Sequence, residues 1–129
     1  MKLNLPYPVS SNRYWRSFVP KGWTRAVVVL SDEAKAYKRE AGWLAKAAGI
    51  RTPLAGPVEV RVVLYPRDRR QIDLDNALKV AIDALNAIAY EDDKQVCKIV
   101  AERRAPHGEA RLEVEVIPFT VPLEFEVAA

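Results

Sequence analysis

The strongest constraint on the fold is the run Val-Glu-Val-Arg-Val-Val-Leu-Tyr at residues 58–65, which is rich in β-branched residues and begins by alternating apolar with charged positions. Such a pattern is typical of a β-strand with one buried face. Similar runs predict further strands at 26–30, 95–104 and 111–117. Because Pro106-His107-Gly108 lies between the last two, we expect those two strands to form a hairpin.

Two helices are predicted among these strands. The first runs from its N-cap residue Ser31 to Ala48, where Gly49 stops it, and the second runs from near Asp75 to about Ala89. Apolar residues three or four positions apart define their buried faces: Tyr37, Ala41, Leu44 and Ala48 in the first, and Leu78, Ile82 and Leu85 in the second. Because strands and helices are mixed along the chain without a regular βαβ repeat, we expect an α+β fold, a single domain whose mixed sheet carries two main helices.

Length and composition exclude several classes of protein. A chain of 129 residues is enough for one domain that buries its own core. No apolar run approaches the roughly 20 residues of a membrane-spanning helix. The one cysteine, Cys97, excludes an internal disulfide, and its place in an apolar strand predicts a small core residue. We therefore expect a cytoplasmic protein with no membrane partner.

Charge is distributed unevenly along the chain. Residues 1–30 carry five basic residues and no acid, whereas residues 73–93 carry six acids and one lysine. Arg67, Arg69 and Arg70 lead directly into the acidic segment. Basic segments suggest contact with a polyanion, which carboxylates among them would repel. Bound cations would remove that conflict.

The acidic segment contains a candidate metal site. In an extended segment Asp73 and Asp75 point to the same side, because side-chain direction repeats every two residues. A turn near Tyr90 is expected to return Asp92 and Asp93 to a sheet edge, so that carboxylates from separate stretches converge. Mg²⁺ prefers such oxygen ligands, and two ions about 4 Å apart assist phosphodiester cleavage by activating water and stabilising the departing oxygen.

Lys79, one helical turn after Asp75, is placed to offset charge that develops on the phosphate oxygens. A purely structural interpretation of these residues stays open. Asp75 also fits a helix N-cap, and Asp75, Lys79 and Asp83 fit a solvated ladder of ion pairs, to which we assign Asp83. Asp92 and Asp93 also fit a turn.

Basic and aromatic residues interleave at residues 12–25. The basic residues are expected to pair with phosphates: Arg13, Arg16, Lys21 and Arg25. The aromatic rings are expected to stack on exposed bases: Tyr14, Trp15, Phe18 or Trp23. Some of these rings are also explained as a cover for the core, and for Trp15 and Trp23 this explanation is nearly as good. Arg67, Arg69 and Arg70 are expected to grip the DNA backbone beside the acidic segment.

Four stretches of the sequence resemble one protein family. They are Pro-Val-Ser-Ser-Asn-Arg-Tyr-Trp-Arg at 8–16, the arginine-rich lead into Ile-Asp-Leu-Asp-Asn at 72–76 with Lys79, Asp-Ala-Leu at 83–85, and Asp-Asp-Lys-Gln-Val at 92–96. Their order and spacing are similar to those of the RusA-type Holliday junction resolvases, small endonucleases common in phages and prophages. The resemblance extends from about residue 3 to residue 117. The tail at 118–129 has no family counterpart.

This resemblance implies a RusA-like endonuclease domain over residues 1–129, bacterial or phage-encoded. It implies a homodimer that binds branched DNA, the four-way junction, and nicks two opposing strands with Mg²⁺, or with Mn²⁺ in its place. It identifies Asp73, Asp75 and Asp93 as metal-binding catalytic carboxylates, Asp92 as an auxiliary and Lys79 as catalytic. The residues expected to contact DNA are Asn12, Arg13, Tyr14, Arg16, Arg67, Arg69, Arg70 and Asn76.

Two other functions use the same basic and aromatic residues. One is a module that holds branched DNA without cutting it, for which the carboxylates are not needed. The other is a nuclease for flaps or other branched DNA, which differs in its substrate and not in its site.

Overall fold

A computed structural model describes residues 1–69 and 73–120. In chain order, its elements are β1 (Lys2–Pro6), α1 (Ser11–Tyr14), β2 (Trp15–Phe18), β3 (Val27–Leu30), α2 (Asp32–Ala47), β4 (Val58–Tyr65), α3 (Leu74–Ala84), a 3₁₀ helix (Asp93–Gln95), β5 (Val96–Arg103) and β6 (Arg111–Pro118). This combination confirms the predicted α+β class.

The main sheet has four strands in the order β1-β6-β4-β5, with β4 parallel to β5 and antiparallel to β6. The predicted hairpin is therefore wrong, because β5 and β6 lie on opposite sides of β4. The core-facing residues of β4, Val58, Val60, Val62 and Leu64, are fully buried, so this strand takes a central place with a partner on each side. The chain after β5 crosses the end of β4, where the Arg104 amide donates to the Leu64 carbonyl at 3.0 Å.

β1 and the small antiparallel sheet of β2 and β3 complete the architecture. Of these three strands, only β3 was predicted. β1 contains two buried leucines, Leu3 and Leu5, but it is followed by a proline-rich stretch that hides the alternation. β6 extends to Pro118, and residues 121–129 of the predicted tail lie outside the described residues.

The buried faces of the two helices contain smaller side chains than predicted. In α2 the buried residues are Ala34, Tyr37, Ala41 and Ala45, whereas Leu44 is half-buried and Ala48 is exposed. In α3 they are Ala77, Val80, Ala81 and Ala84, followed by Leu85 at the C-cap. Small side chains let the helix approach the sheet closely, and the bulkier Leu78 and Ile82 are left half-buried at its flank. This displacement places two apolar residues beside the candidate site.

α3 ends at Ala84, five residues before the predicted end at Ala89. The chain turns there, and Ala87 takes a left-handed backbone conformation (φ 65°) that interrupts the helix. The turn is anchored by Tyr90, which is fully buried and donates its hydroxyl proton to the Ile82 carbonyl. Burial raises the pKa of Tyr90, so its hydroxyl remains a donor.

The edge strand β5 is more exposed than its sequence predicts. Cys97 is exposed rather than a core residue, because β5 has no neighbouring strand beyond it among the described residues. Ile99 and Val100 are each 46% exposed. As for membranes, no helix within residues 1–69 and 73–120 has both the length and the apolar character needed to cross one.

Candidate active site

A groove of about 460 Å³ runs along one flank of α3. Five residues of the helix line it at steps of three and one, so that they form a single stripe: Asp75, Leu78, Lys79, Ile82 and Asp83. Asp93, Ile99 of β5 and Trp15 complete the lining. The groove therefore joins two of the predicted catalytic carboxylates, Asp75 and Asp93, with the predicted catalytic lysine.

The helix begins in a way that separates Asp73 from Asp75. Asp73 is the N-cap of α3, where one carboxylate oxygen accepts from the Asp75 amide and the other from the Asn76 side chain, both at 3.1 Å. Asp73 lines a different hollow, between α3 and the segment after β1. The prediction that Asp73 and Asp75 share a side is wrong because the chain is helical from Leu74 onward, and the cap predicted as the alternative role of Asp75 belongs to Asp73.

The structure distinguishes Asp93 from Asp92. Asp92 caps the 3₁₀ helix, and its Oδ1 accepts from the Lys94 amide at 2.8 Å. That backbone hydrogen bond holds the pKa of Asp92 below its usual value. Asp93 instead lines the groove, where its Oδ2 accepts from the Asn86 side chain at 3.3 Å. Residue type and spacing alone could not rank these two neighbours, whereas the family resemblance favoured Asp93.

The donor set of the groove fits a hard divalent cation. Within the described ranges 1–69 and 73–120, no three His, Cys, Asp or Glu side chains lie close enough together to hold a metal ion. The expected convergence of Asp73, Asp75 and Asp93 is therefore not found there. Of the three carboxylates that line the groove, Asp75 and Asp93 are exposed, whereas Asp83 accepts the hydrogen bond of the Tyr14 hydroxyl. Mg²⁺ is commonly held by one or two carboxylates, with waters and substrate phosphate oxygens completing its shell. Asp75 and Asp93, both exposed oxygen donors, match that pattern.

Lys79 and Asp83 do not form the ladder that the structural interpretation predicted. Among the described residues, Lys79 makes no ion pair with Asp75 or Asp83. Asp83 accepts a hydrogen bond from the Tyr14 hydroxyl at 2.5 Å. Asp83 thus joins the groove to the N-terminal segment, a contact across 69 positions that no local sequence signal reveals.

Tyr14 is a core residue and not a surface ring. Its side chain is fully buried and packs edge-on against Trp15, with ring centroids 4.6 Å apart. Burial, followed by the hydrogen bond to Asp83, raises the pKa of Tyr14 above its ordinary value. The prediction that Tyr14 stacks on a DNA base is therefore wrong. Phe18 and Trp23, 41% and 61% exposed, remain accessible for stacking.

The predicted DNA-contacting side chains occupy several surfaces. Asn12 and Arg16 are exposed, while Arg13 pairs with Glu33 at 2.7 Å. Arg67 lies over the Tyr7 ring, with its guanidinium carbon 5.0 Å from the centroid. Asn76 donates to Asp73, and Arg70 lies outside the described residues.

A second hollow, of about 390 Å³, forms where β4 and β5 end. Arg69 lines it together with Arg103 and Arg104. Arg103 and Arg104 were not among the residues predicted to contact DNA. The sequence feature that could have identified them is a pair of basic residues at the end of a predicted strand. It became informative only when the structure placed β5 parallel to β4, so that both strands end beside Arg69.

Comparison with known proteins points to one family. A family model described as Endodeoxyribonuclease RusA matches residues 6–117. The chain is 34% identical over 115 residues to a crossover junction endodeoxyribonuclease RusA of Escherichia coli (strain K12), covering 88% of this chain and 91% of that protein. It is 32% identical, with the same coverage, to the crossover junction endodeoxyribonuclease of Enterobacteria phage 82. The matched segment contains the whole groove.

Proposed function

Because the chain belongs to the RusA family of endodeoxyribonucleases, we propose that it resolves four-way DNA junctions by paired symmetric nicks, with Mg²⁺ as its cofactor. The observation that carries the proposal is the groove that joins Asp75, Lys79 and Asp93. Its test is metal-dependent nicking of a four-way junction that leaves linear duplex uncut. Since the substrate is DNA, the proposal places the enzyme in the cytoplasm of a bacterium.

We assign the metal to Asp75 and Asp93, with Mn²⁺ as an alternative ion. Divalent ions in such a site lower the pKa of bound water and neutralise charge on the leaving oxygen. Asp73 is proposed as the third carboxylate, which requires its side chain to turn toward the groove from the hollow where it caps α3 and bonds to Asp75 and Asn76. Asp92 is proposed as an auxiliary that shapes the turn carrying Asp93.

Other groups of the groove act on the phosphate and its surroundings. Lys79 is proposed to donate to a non-bridging oxygen of the scissile phosphate and so to stabilise the charge that develops there. Leu78, Ile82 and Ile99 form an apolar wall. A wall of this kind limits access of bulk water, and charge interactions beside it become stronger than in open solvent.

Contacts to the DNA backbone are proposed for arginine and asparagine side chains. Those from the sequence analysis are Asn12, Arg13, Arg16, Arg67, Arg69, Arg70 and Asn76, and Arg103 and Arg104 are added because they share a hollow with Arg69. Phosphate contacts of this kind position a duplex arm without reading its sequence. Phe18 and Trp23 are proposed to stack on bases unpaired near the branch point.

The homodimer is proposed to form through β5. β5 is an edge strand of the sheet formed by residues 1–69 and 73–120, and apolar Ile99 and Val100 lie on it. Edge strands of this kind are templates for pairing with another chain. Two copies related by a two-fold axis would extend the sheet by antiparallel pairing of their β5 strands. The two active sites of such a dimer would be related by a two-fold axis, as are the two opposing DNA strands that are nicked.

Charge favours a register centred on Val100 over one centred on Ala101. In two paired copies of β5, side chains directly opposite each other lie on the same face of the sheet. A two-fold axis perpendicular to the sheet therefore passes beside one residue, which lies opposite the same residue of the second copy. With Val100 at the axis, Lys98 faces Glu102 of the second copy, and the pair occurs twice. With Ala101 at the axis, Lys98 faces Arg104, which is repulsive.

The register can be tested by a cross-link. Opposite Cα atoms in antiparallel strands are about 4.5–5.5 Å apart, within the range of a disulfide. In a Cys97→Ser background, Val100→Cys is therefore expected to form a covalent dimer on mild oxidation, seen on a non-reducing gel. Val28→Cys, at a position 67% exposed on β3, is the matched control and should stay monomeric on that gel. Equal cross-linking of both variants, or none at Val100, would reject the β5 interface.

A further inference from the structure

Gln95, the last residue of the 3₁₀ helix, uses both ends of its side-chain amide. Its Oε1 accepts from the backbone amides of Glu91 and Asp92, at 2.8 and 2.9 Å. Its Nε2 donates to the carbonyls of Leu54 and Gly56, at 2.9 and 2.8 Å. One side chain thus ties the turn at 91–95 to a loop about forty residues earlier in the chain.

Asp93 lies inside the turn that these hydrogen bonds define. On its N-terminal side, the amides of residues 91 and 92 are held by Gln95, and on its C-terminal side the Lys94 amide is held by Asp92. Asn86 contacts the Asp93 carboxylate itself at 3.3 Å. Three acids occur in succession at 91–93, and only Asp93 lines the groove.

We infer that Gln95 is a positioning residue for Asp93: its four hydrogen bonds fix the turn so that the Asp93 carboxylate, and not its neighbours, faces Asp75 and Lys79. The inference rests on the proposed function, in which Asp93 holds the metal. Residues that orient a metal ligand typically change metal affinity or activity by about 10- to 100-fold when they are replaced. Gln95 does this without contacting the ion, through the backbone that carries Asp93.

Two substitutions separate the contacts. Gln95→Met keeps the length of the side chain and removes all four hydrogen bonds. Gln95→Glu keeps the two acceptor bonds to residues 91 and 92 and places a carboxylate oxygen against the Leu54 and Gly56 carbonyls. Both variants are expected to bind Mn²⁺ about 10- to 100-fold more weakly than the unsubstituted protein, as measured by electron paramagnetic resonance without DNA. The half-saturating Mg²⁺ concentration for junction nicking should rise by the same factor.

If the role of Gln95 is purely structural, a different result is expected from its replacement. It would lower the melting temperature and leave Mn²⁺ affinity unchanged, or lower that affinity equally with and without Asp93. We therefore compare Asp93→Asn with Asp93→Asn/Gln95→Met, and expect the same Mn²⁺ affinity in both, since Gln95 has no carboxylate left to position. A further loss in the double variant, or unchanged affinity in both Gln95 single variants, overturns the inference. If Gln95→Met does not fold, Gln95→Glu decides the comparison in the same way.

These outcomes are distinguishable from failure of the proposed function. If Asp93→Asn alone binds Mn²⁺ and nicks junctions as the unsubstituted protein does, the assignment of the metal to Asp93 fails, and with it the premise of this inference. If Asp93→Asn loses both properties while the Gln95 variants keep them, only the positioning role is rejected.

Discussion

Replacing Asp75 by asparagine should slow metal-dependent nicking of a four-way junction by about 10³-fold or more, which corresponds to about 4 kcal/mol of activation free energy. Asparagine keeps the shape of the side chain but lacks the charge that holds a divalent ion. Asp75 lies in the first turn of α3 and faces Lys79 and Asp93 along the groove. Junction affinity, measured in EDTA, should be retained or increased, because a negative charge is removed from a surface that meets phosphates.

The matched control is Asp32→Asn. Asp32 also occupies the first turn of a helix, in α2, so its replacement removes the same favourable interaction with the helix dipole, worth about 0.3–1 kcal/mol. This control should nick junctions at the normal rate. If Asp75→Asn also does so under the same conditions, Asp75 does not hold a catalytic metal. If Asp75→Asn loses junction binding together with nicking, its defect lies in the fold or the DNA contact.

The neighbouring carboxylates Asp92 and Asp93 should differ sharply in their effects. We expect Asp93→Asn to reduce nicking by about 10²- to 10³-fold, as for other groups on which stabilisation of the transition state depends, because asparagine lacks the charge with which Asp93 would hold the metal. We expect Asp92→Asn to retain most of the activity, because asparagine caps a helix about as well as aspartate does. The Asp92 oxygen that accepts from Lys94 is retained in that variant as an amide oxygen.

Single-turnover nicking rates at saturating protein give this comparison directly, and melting temperatures show whether either variant is unfolded. Equal losses in the two variants would mean that the turn as a whole, rather than Asp93, is needed. A larger loss for Asp92 would reverse the assignment. Because the two residues are adjacent in sequence and have the same charge, differences in overall electrostatics do not explain an unequal outcome.

Local patterns in the sequence predicted most of the helices and strands, but they did not predict how these elements pair and pack. Ser31 and Gly49 bound α2 as expected, since both act through neighbouring backbone groups. The pairing of β5 with β4 could not be predicted, because it depends on α3 returning the chain to the start of β4. The half-buried position of Leu78 and Ile82 depends in the same way on how closely the small residues of α3 approach the sheet.

The same distinction applies to the candidate site: residues identified by local patterns were predicted, and contacts between distant segments were not. Residue types and spacing indicated the acidic segment and Lys79, and family resemblance separated Asp93 from Asp92 before any geometry was known. The capping role of Asp73 was missed because the helix was expected to begin near Asp75. The backbone of Asp73 is extended, as assumed, but the helix begins directly after it, at Leu74. The contacts of Asp83 with Tyr14 and of Gln95 with Leu54 join segments far apart in sequence, so they required the folded chain.

The most direct test of the central proposal is cleavage of a synthetic, immobile four-way junction, labelled on each strand in turn, with Mg²⁺ or EDTA, beside a linear duplex and a flap of the same sequence. The proposal predicts paired nicks on opposing strands that require the metal, with linear duplex left intact. Equal or faster cutting of the flap would indicate a nuclease for other branched DNA. Tight junction binding without nicks in Mg²⁺ or Mn²⁺ would contradict the proposal and indicate a binding module in which Asp73, Asp75 and Asp93 have structural roles.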